Sequence, residues 1–498
     1  MHAFHQRIWL VALVVHVVTA WFSSGFYAAD EHYQIIAFAQ AKLGELPIAD
    51  LPWEHEVGIR SALLPSLAFA VINTSRALIT SDPFCIAFML RLITALFALF
   101  VVRSLVSAAM HMVSPALIRP YVLLSYFLWF LPYQHVRFAT ETWAGLLFLF
   151  GLAQVISEKH VSYRWLLAGA CFGLAIHVKP AMGIPCMSVF ILAFVSKKVT
   201  WPIAVRSTIG IMVAFVIGAL VDSWFYGGYI PTTWNFVRTA VAGDPQHMFE
   251  VYPWYYYFPW IIKYGIGPIG ILLIAALAWL TFRQPRAILV WCMWPYLIIL
   301  SVVPHKELRF LFPLVDLAPL LLVLAWQEFV AFQSVGILQR TSIRSASVLS
   351  LAVLLVVNLM GLVLAGTSAA GSGRTRLAEA LAAVRTTNDL TLGYALSGEG
   401  IWAVRIPKFY LDPAVRDAGT TDPCASDPQV EFALPTFLIG SEADPAASGC
   451  TLGSQGYRVI ARTEPKWMRT IWHMYNSERP QAFLLYQRDP SPSRPSEL

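Results

Sequence analysis

Residues 288–325 read ILVWCMWPYLIILSVVPHKELRFLFPLVDLAPLLLVLA. Two apolar runs, 286–303 and 308–331, flank the charged segment His305–Lys306–Glu307–Leu308–Arg309–Phe310. Each run is long enough to cross a bilayer as a helix. Charges between two such runs are expensive unless they pair with each other or bind something. The composition of the whole chain agrees with membrane spans. Of 498 residues, 57% are hydrophobic and 13% charged, about half the charged share of a soluble protein. Mean hydropathy is +0.61. So few charges cannot cover a soluble globule. That excludes a cytosolic enzyme, a secreted disulfide scaffold, a disordered chain and a nucleic-acid binder. The formal charge of +6 is unevenly spread: 22 of the 35 basic and 15 of the 29 acidic residues precede Gly366. That excess fits basic cytoplasmic loops.

Further apolar runs lie near 7–27, 85–107, 115–132, 138–156, 163–179, 181–196, 203–222, 262–282 and 345–366. The first is read as a retained span, because no small-x-small cleavage site fits Ile8–Trp21 well and an acidic segment follows closely. A weaker run, 60–80, contains Arg60, Pro65, Asn73, Thr74, Ser75 and Arg76. The basic loops Lys159–Arg164, Lys197–Lys198–Arg206, Arg283–Arg286 and Arg340–Arg344 belong in the cytoplasm, as does Arg7. All of them reach it if 60–80 lies along the interface as an amphipathic helix. The expectation is a polytopic α-helical membrane protein with about 11 transmembrane helices, N-terminus in and C-terminus out. Residues 1–366 would form the transmembrane domain, with 28–80 an outer loop carrying juxtamembrane helices. Residues 370–488 read as a small mixed α/β extracytoplasmic domain, from strand-like runs at Thr436–Gly440, Tyr457–Ala461 and Ala482–Tyr486. Residues 489–498 read as a disordered tail. Cys424 and Cys450 either pair on that oxidising side or stay free. No Cys/His spacing suggests zinc.

This topology gathers the unusual polar groups at one outer face. Asp30–Glu31–His32 follow the first span. A carboxylate there can act as a general base, or the segment can be a solvated loop. Trp53–Glu54 and Gly58–Ile59–Arg60–Ser61 come next. Arg137 and Glu141 can form an internal pair, and His177–Val178–Lys179–Pro180 is a hairpin or a further cation for a phosphate. Asp222 ends a span ahead of Tyr226–Gly227 and Trp234–Asn235–Phe236. Tyr252–Pro253–Trp254–Tyr255–Tyr256–Tyr257 is an interfacial belt or a surface that stacks on sugar rings. Lys306 and Arg309 either grip a phosphate, Arg309 through its planar fork, or pair with Glu307 in a turn.

In order along the chain, these segments resemble glycosyltransferase family 22, the mannosyltransferases of GPI-anchor and lipid-linked oligosaccharide assembly. His305–Phe310 is similar to the family's H-K-E-x-R-F motif, which is quite specific. Ala29–Asp30–Glu31–His32–Tyr33–Gln34 resembles P-D-E-x-x-Q, with Ala29 where proline is usual. Trp53–Glu54 with Gly58–Ser61 resembles T-W-E…G-I-R-S, with Pro52 in place of threonine. Asp222 through Trp234–Asn235–Phe236 resembles D-x-x-x-Y-G…W-N-F. Tyr252–Tyr256 resembles P-W-H-W-Y, with Tyr255 replacing the histidine. The likeness covers roughly residues 20 to 320.

The resemblance implies a GT-C fold, a polyprenyl-phosphate-linked mannose donor and a lipid-linked glycan acceptor. It also implies inversion at the sugar, no metal and no cofactor. On that reading Asp30 or Glu31 is the base, and His305, Lys306, Arg309 and Arg60 hold the donor phosphate. Glu307, Trp53, Glu54, Asp222, Trp254 and Tyr255 orient those groups or line the substrate. Two rivals stand beside it: a GT-C transferase moving another sugar onto a lipid or protein, and a non-enzymatic lipid-glycan transporter. The membrane is a bacterial inner membrane with the site facing the periplasm, or the endoplasmic reticulum with a lumenal site. The sidedness is testable. In a variant lacking Cys424 and Cys450, a cysteine introduced into 370–488 is expected to react with an impermeant maleimide from outside. Labelling that requires the membrane to be opened would overturn the eleven-span count.

Overall fold

The computed structural model describes residues 2–158, 163–196, 200–242, 250–332, 341–371, 373–384, 390–395, 405–420 and 434–441. It also describes 452–453, 455–465, 467–468, 470–471 and 482–489. Lys159, Lys197, Lys198, Arg340, Cys424, Cys450 and residues 490–498 lie outside the described residues. The chain divides into two compact units. One comprises Met1–Ala20, Ala28–Ile79 and Met89–Gly366; the other comprises Trp21–Tyr27, Thr80–Phe88 and Thr367–Leu498.

Among the described residues five helices are long and apolar enough to cross a membrane: Ala3–Phe22, Pro83–Met112, Trp201–Tyr226, Leu308–Phe332 and Leu349–Thr367. Pro268–Arg283 and Ile288–Val302, bent by 119° across a short break, add up to one more. Leu63–Leu78, Thr140–Ile156, Tyr163–Val178 and Pro180–Val195 are shorter apolar helices. This is a multi-pass membrane protein. The count of eleven spans is not confirmed, because several apolar runs are not single long helices. The run 115–132 breaks at Leu128, which is extended between Ile118–Phe127 and Phe130–Gln134. Lys179 is extended too, as the residue before a proline favours, and it separates Tyr163–Val178 from the turn Pro180–Met182 and the helix Gly183–Val195. The weak run near 60–80 forms the helix Leu63–Leu78 and buries one face through Leu64, Pro65, Ala68, Ile72 and Ser75.

The charged segment leads into a 3₁₀ helix, Leu308–Leu317, before the α-helix Ala318–Phe332. Ten residues is long for a 3₁₀ helix, whose hydrogen-bond geometry is poor, so tertiary contacts must hold it. Tyr296 Oη donates to Phe310 O at 2.9 Å. From the other side, Thr140–Ile156 lies directly on the segment at Gly145. A Cβ there would stand 2.6 Å from both Cα and O of Pro313, so only glycine permits this approach.

The second unit contains a five-stranded sheet of order β2-β1-β3-β5-β4, with β1 Leu390–Ala395, β2 Val415–Thr420, β3 Phe437–Ser441, β4 Tyr457–Arg462 and β5 Phe483–Arg488. β1 runs parallel to β2 and β3, while β5 runs antiparallel to β3 and β4. Leu392, Phe437, Leu438, Ile439 and Leu485 are buried in it, with Leu377 and Leu381 of the helix Arg374–Ala383 also buried.

The Gly145 contact generates a prediction. Gly145→Ala forces the helix away from Pro313 backbone and should destabilise the protein by about 1–3 kcal/mol, read as a lower Tm in detergent. Gly183→Ala is the control, since nothing lies within 4 Å of that added methyl. Equal melting of the two variants would show that the contact is slack.

Candidate active site

Asp30 and Glu31 sit on one helical turn, Ala29–Glu31, which continues as a π-helical segment, His32–Ile36. The two carboxylates face different ways. Glu31 is buried; its Oε1 accepts from Ala28 N at 3.3 Å, and its Oε2 lies 3.7 Å from Arg137 Nη1. Asp30 is 23% exposed, with Oδ2 2.6 Å from Arg309 Nη1 and 3.8 Å from Arg60 Nη2. Down the π segment, buried Gln34 donates through Nε2 to Glu54 Oε1 at 2.9 Å.

Arg60 reaches this cluster because the chain before and after it is pinned. The helix Trp53–Val57 ends at Gly58, which has φ +64°. That left-handed turn favours glycine, and an added Cβ would meet Ile230 at 2.6 Å. Asn235 Nδ2 donates to the carbonyls of Val57 and Gly58, each at 3.2 Å. Tyr226 Oη donates to Arg60 O at 2.7 Å. Ala62 N donates to Asp222 Oδ1 at 2.7 Å, while Thr232 Oγ1 donates to Oδ2 at 2.6 Å. Asp222 is fully buried and also lies 3.0 Å from His177 Nε2. It therefore orients the Arg60 loop through backbone contacts. Arg60 in turn donates to Glu54 Oε1 at 3.4 Å.

Arg309 gathers the site. Its Nε and Nη2 donate to Oε2 and Oε1 of Glu307 at 2.6 and 2.7 Å, a bidentate fork. Its Nη1 lies against Asp30, with Glu141 Oε1 at 3.8 Å. Glu141 is buried and accepts from Lys179 Nζ at 2.7 Å. The expected Arg137–Glu141 pair is not formed. Arg137 precedes the helix that starts at Thr140, so the four-residue spacing does not put the two on one helical face. Arg137 turns to Glu31, and Lys179 takes Glu141.

His305 Nε2 lies 3.0 Å from Glu307 Oε1 and its Nδ1 3.2 Å from Glu250 O. A bridge between Val251 and His305 and a bond from Tyr252 N to Pro304 O at 3.0 Å bring the aromatic segment beside this loop. Trp254 and Tyr255 remain exposed there, as does Trp53 in its own helix. Lys306 is buried, and its ammonium donates to Val303 O. Among the described residues no carboxylate pairs with it. Sequence reasoning did not place Gln34, Arg137 or Glu141 among the site residues, and it left Lys179 between a hairpin and a further cation for a phosphate. The signal for the last two was an ionisable group set in an apolar run.

These contacts set the protonation of the loop. The hydrogen bond to Glu307 raises the His305 pKa above 6.5, against burial. Burial alone would raise Glu307, but bonds from His305 and Arg309 outweigh it and hold the carboxyl at about 2. Burial lowers the Lys306 pKa.

The geometry can now be set beside known proteins. The profile of the Alg9-like mannosyltransferase family matches residues 7–396. The chain belongs to the Alg9-like mannosyltransferase family. GPI alpha-1,2-mannosyltransferase 3 of Danio rerio is 26% identical over 268 residues, 52% of this chain and 48% of that protein. Alpha-1,2-mannosyltransferase ALG9 of Saccharomyces cerevisiae is 32% identical over 117 residues, 22% of this chain and 20% of that one. The chain thus spans about half the length, or less, of these curated relatives. Among solved structures, ArnT from Cupriavidus metallidurans bound to undecaprenyl phosphate matches with a TM-score of 0.50 and 14% identity. That match covers 96% of this chain and 97% of ArnT, and it shows that this member of the Alg9-like family has the GT-C fold.

The His305–Glu307 contact predicts a pH signature. Because the folded pKa of His305 is raised, its stabilisation is complete below pH 6.5 and is lost as pH climbs through the raised value. Glu307 acts at the other end, its contribution being lost as pH falls from 4.5 towards about 2. Melting of the parent in detergent should weaken on the alkaline limb above pH 6.5, and His305→Gln should flatten that limb. Parallel curves would remove His305 from the loop's charge balance.

Proposed function

We propose that the protein is a membrane mannosyltransferase that moves mannose from a polyprenyl-phosphate donor to a glycan carried on a lipid, with inversion at the sugar. The observation that carries the reading is the contact between Asp30 and Arg309. It sets a carboxylate able to take a proton beside a guanidinium able to take a phosphate, from segments far apart in sequence. Family membership supports the sugar, and the GT-C fold supports a lipid-linked donor.

The acceptor hydroxyl attacks the anomeric carbon as the bond from that carbon to the phosphate oxygen breaks. The hydroxyl proton passes to Asp30, and the bonding pair leaves with the lipid phosphate. The sugar passes through an oxocarbenium-like state. Charge grows on the leaving phosphate, so cations fixed there lower the barrier. Arg309, Arg60, Lys306 and His305 are the groups for this role, with Glu307 holding the Arg309 fork in plane. Glu31, turned inward onto Arg137, positions the turn. An arriving phosphate competes with Asp30 for Arg309. Donor binding at Arg309 therefore releases the Asp30 carboxylate to meet the acceptor hydroxyl. Trp53, Trp254 and Tyr255 offer exposed rings to the sugar. The site faces the non-cytoplasmic side, in a bacterial inner membrane or the endoplasmic reticulum.

The test is transfer from a synthetic short-chain polyprenyl-phosphate mannose to glycolipids extracted from the native membrane. Asp30→Asn should lower turnover by about 10²-fold or more. Arg309→Ala should cost roughly 10²-fold in kcat/KM, and Arg309→Lys should also fall because it keeps the charge but loses the fork. All three must insert and melt like the parent. Parental transfer by Arg309→Ala would reduce the charged segment to a structural turn, and parental transfer by Asp30→Asn would move the base to Glu31.

A further inference from the structure

A second polar cluster lies inside the first unit, within the helical part of the chain. His16 and His135 are fully buried and Asp316 nearly so. His16 Nδ1 lies 2.7 Å from Ala12 O, His16 Nε2 lies 2.9 Å from His135 Nδ1, and His135 Nε2 lies 2.6 Å from Asp316 Oδ1. The two imidazoles are stacked, with centroids 5.2 Å apart. Such groups are rare in transmembrane segments and mark function when present.

Counting protons explains how the cluster is tolerated. Each of the three contacts needs one proton. Two imidazoles and one carboxyl that share three protons carry no net charge, whichever atoms hold them. The trio is neutral and hydrogen-bonded from end to end, which removes most of the cost of burying it.

Its place in the chain gives it a use. Asp316 is in the same 3₁₀ segment as Arg309, about 14 Å further along at roughly 2.0 Å per residue. His135 stands two residues before Arg137. Arg137 faces Glu31, the neighbour of Asp30, and Asp30 faces Arg309. The contacts close a ring: Arg309 to Asp30, Glu31 to Arg137, His135 to Asp316, and back along the 3₁₀ segment to Arg309. His16 adds the first span to it. The His135–Asp316 contact is the ring's rear closure, and a 3₁₀ helix this long requires such support.

We propose that His16, His135 and Asp316 form a positioning device that fixes the separation of Asp30 and Arg309. The inference rests on the proposed reading of those two residues as base and phosphate ligand. None of the three touches the reacting atoms; they act through the backbone of the segments they join. Loss of the closure should lower kcat and leave KM nearly unchanged, because misplacing reacting groups by a fraction of an ångström affects the chemical step most.

The experiment uses the full-length protein in detergent with the synthetic mannose donor and extracted glycolipids. Asp316→Asn can donate an amide N–H to His135 Nε2, so all three contacts survive; its kcat should stay within about threefold of the parent. Asp316→Leu leaves His135 Nε2 without a donor and should lower kcat roughly tenfold or more. Because a buried histidine left without its partner also destabilises the fold, the double variant His135→Leu/Asp316→Leu removes both partners. It should melt close to the parent while kcat stays low, with faster hydrogen exchange in 308–317. Parental kcat in either leucine variant, judged on its folded fraction, overturns the proposal. So does equal loss in Asp316→Asn and Asp316→Leu. An inactive parent overturns the proposed function itself, and the positioning role with it.

Discussion

Arg309 is a cation that cannot shed its charge, set where water is largely excluded. Such a group must be surrounded by acceptors or it will not stay. The protein meets this with three carboxylates from three separate segments: Glu307 beside it, Asp30 after the first span and Glu141 at the start of another helix. Much of the surrounding architecture follows from that requirement. The 3₁₀ stretch places Arg309 at the mouth of its span, and glycine at 145 lets the Glu141 helix close on it. The Arg60 loop is held by Asp222, Tyr226 and Asn235 so that a second guanidinium faces Asp30, with Glu54 on its other side.

The parts of the site legible in the sequence are those where a charge interrupts an apolar run. His305–Arg309 and Asp30–Glu31 announced themselves in that way, and the structure sets them together. The resemblance set Asp222 among the orienting or substrate-lining residues, but its contacts with a backbone amide and a threonine hydroxyl were hidden, since a backbone partner leaves no mark on residue type. Arg137 and Glu141 read as a possible internal pair, but each takes another partner, Glu31 and Lys179.

The helix breaks divide in the same manner. Pro180 gave its break away in advance, since a residue before proline avoids the helical region. The break at Leu128 had no such signal, for the sequence around it is apolar. Its exposed backbone groups are satisfied from a distant helix: Asn358 accepts from Trp129 N at 2.9 Å and donates to Phe127 O at 2.8 Å. An asparagine in a strongly apolar run, 345–366, was the trace of that contact, but nothing in the sequence tied it to a partner over two hundred residues away.

For the donor phosphate proposed above, the charge inventory of the site limits how it could enter. Asp30, Glu31, Glu54, Glu141 and Glu307 face Arg60, Arg137, Lys179, Arg309 and the histidine at 305, so the paired groups are close to balance on their own. A phosphate added to a balanced, poorly solvated cluster would be repelled by its carboxylates. It gains by exchange instead, replacing a carboxylate on a guanidinium that is already oriented. Asp30 is the natural partner to yield, being more exposed than Glu31, Glu54 or Glu141 and bound to Arg309 through one nitrogen, where Glu307 uses two. Lys306 supplies the remaining positive charge, paired with a carbonyl rather than a carboxylate. On the proposed reading of Asp30 as base, the same exchange that would admit the donor phosphate would free that base, so binding and activation would draw on a single contact.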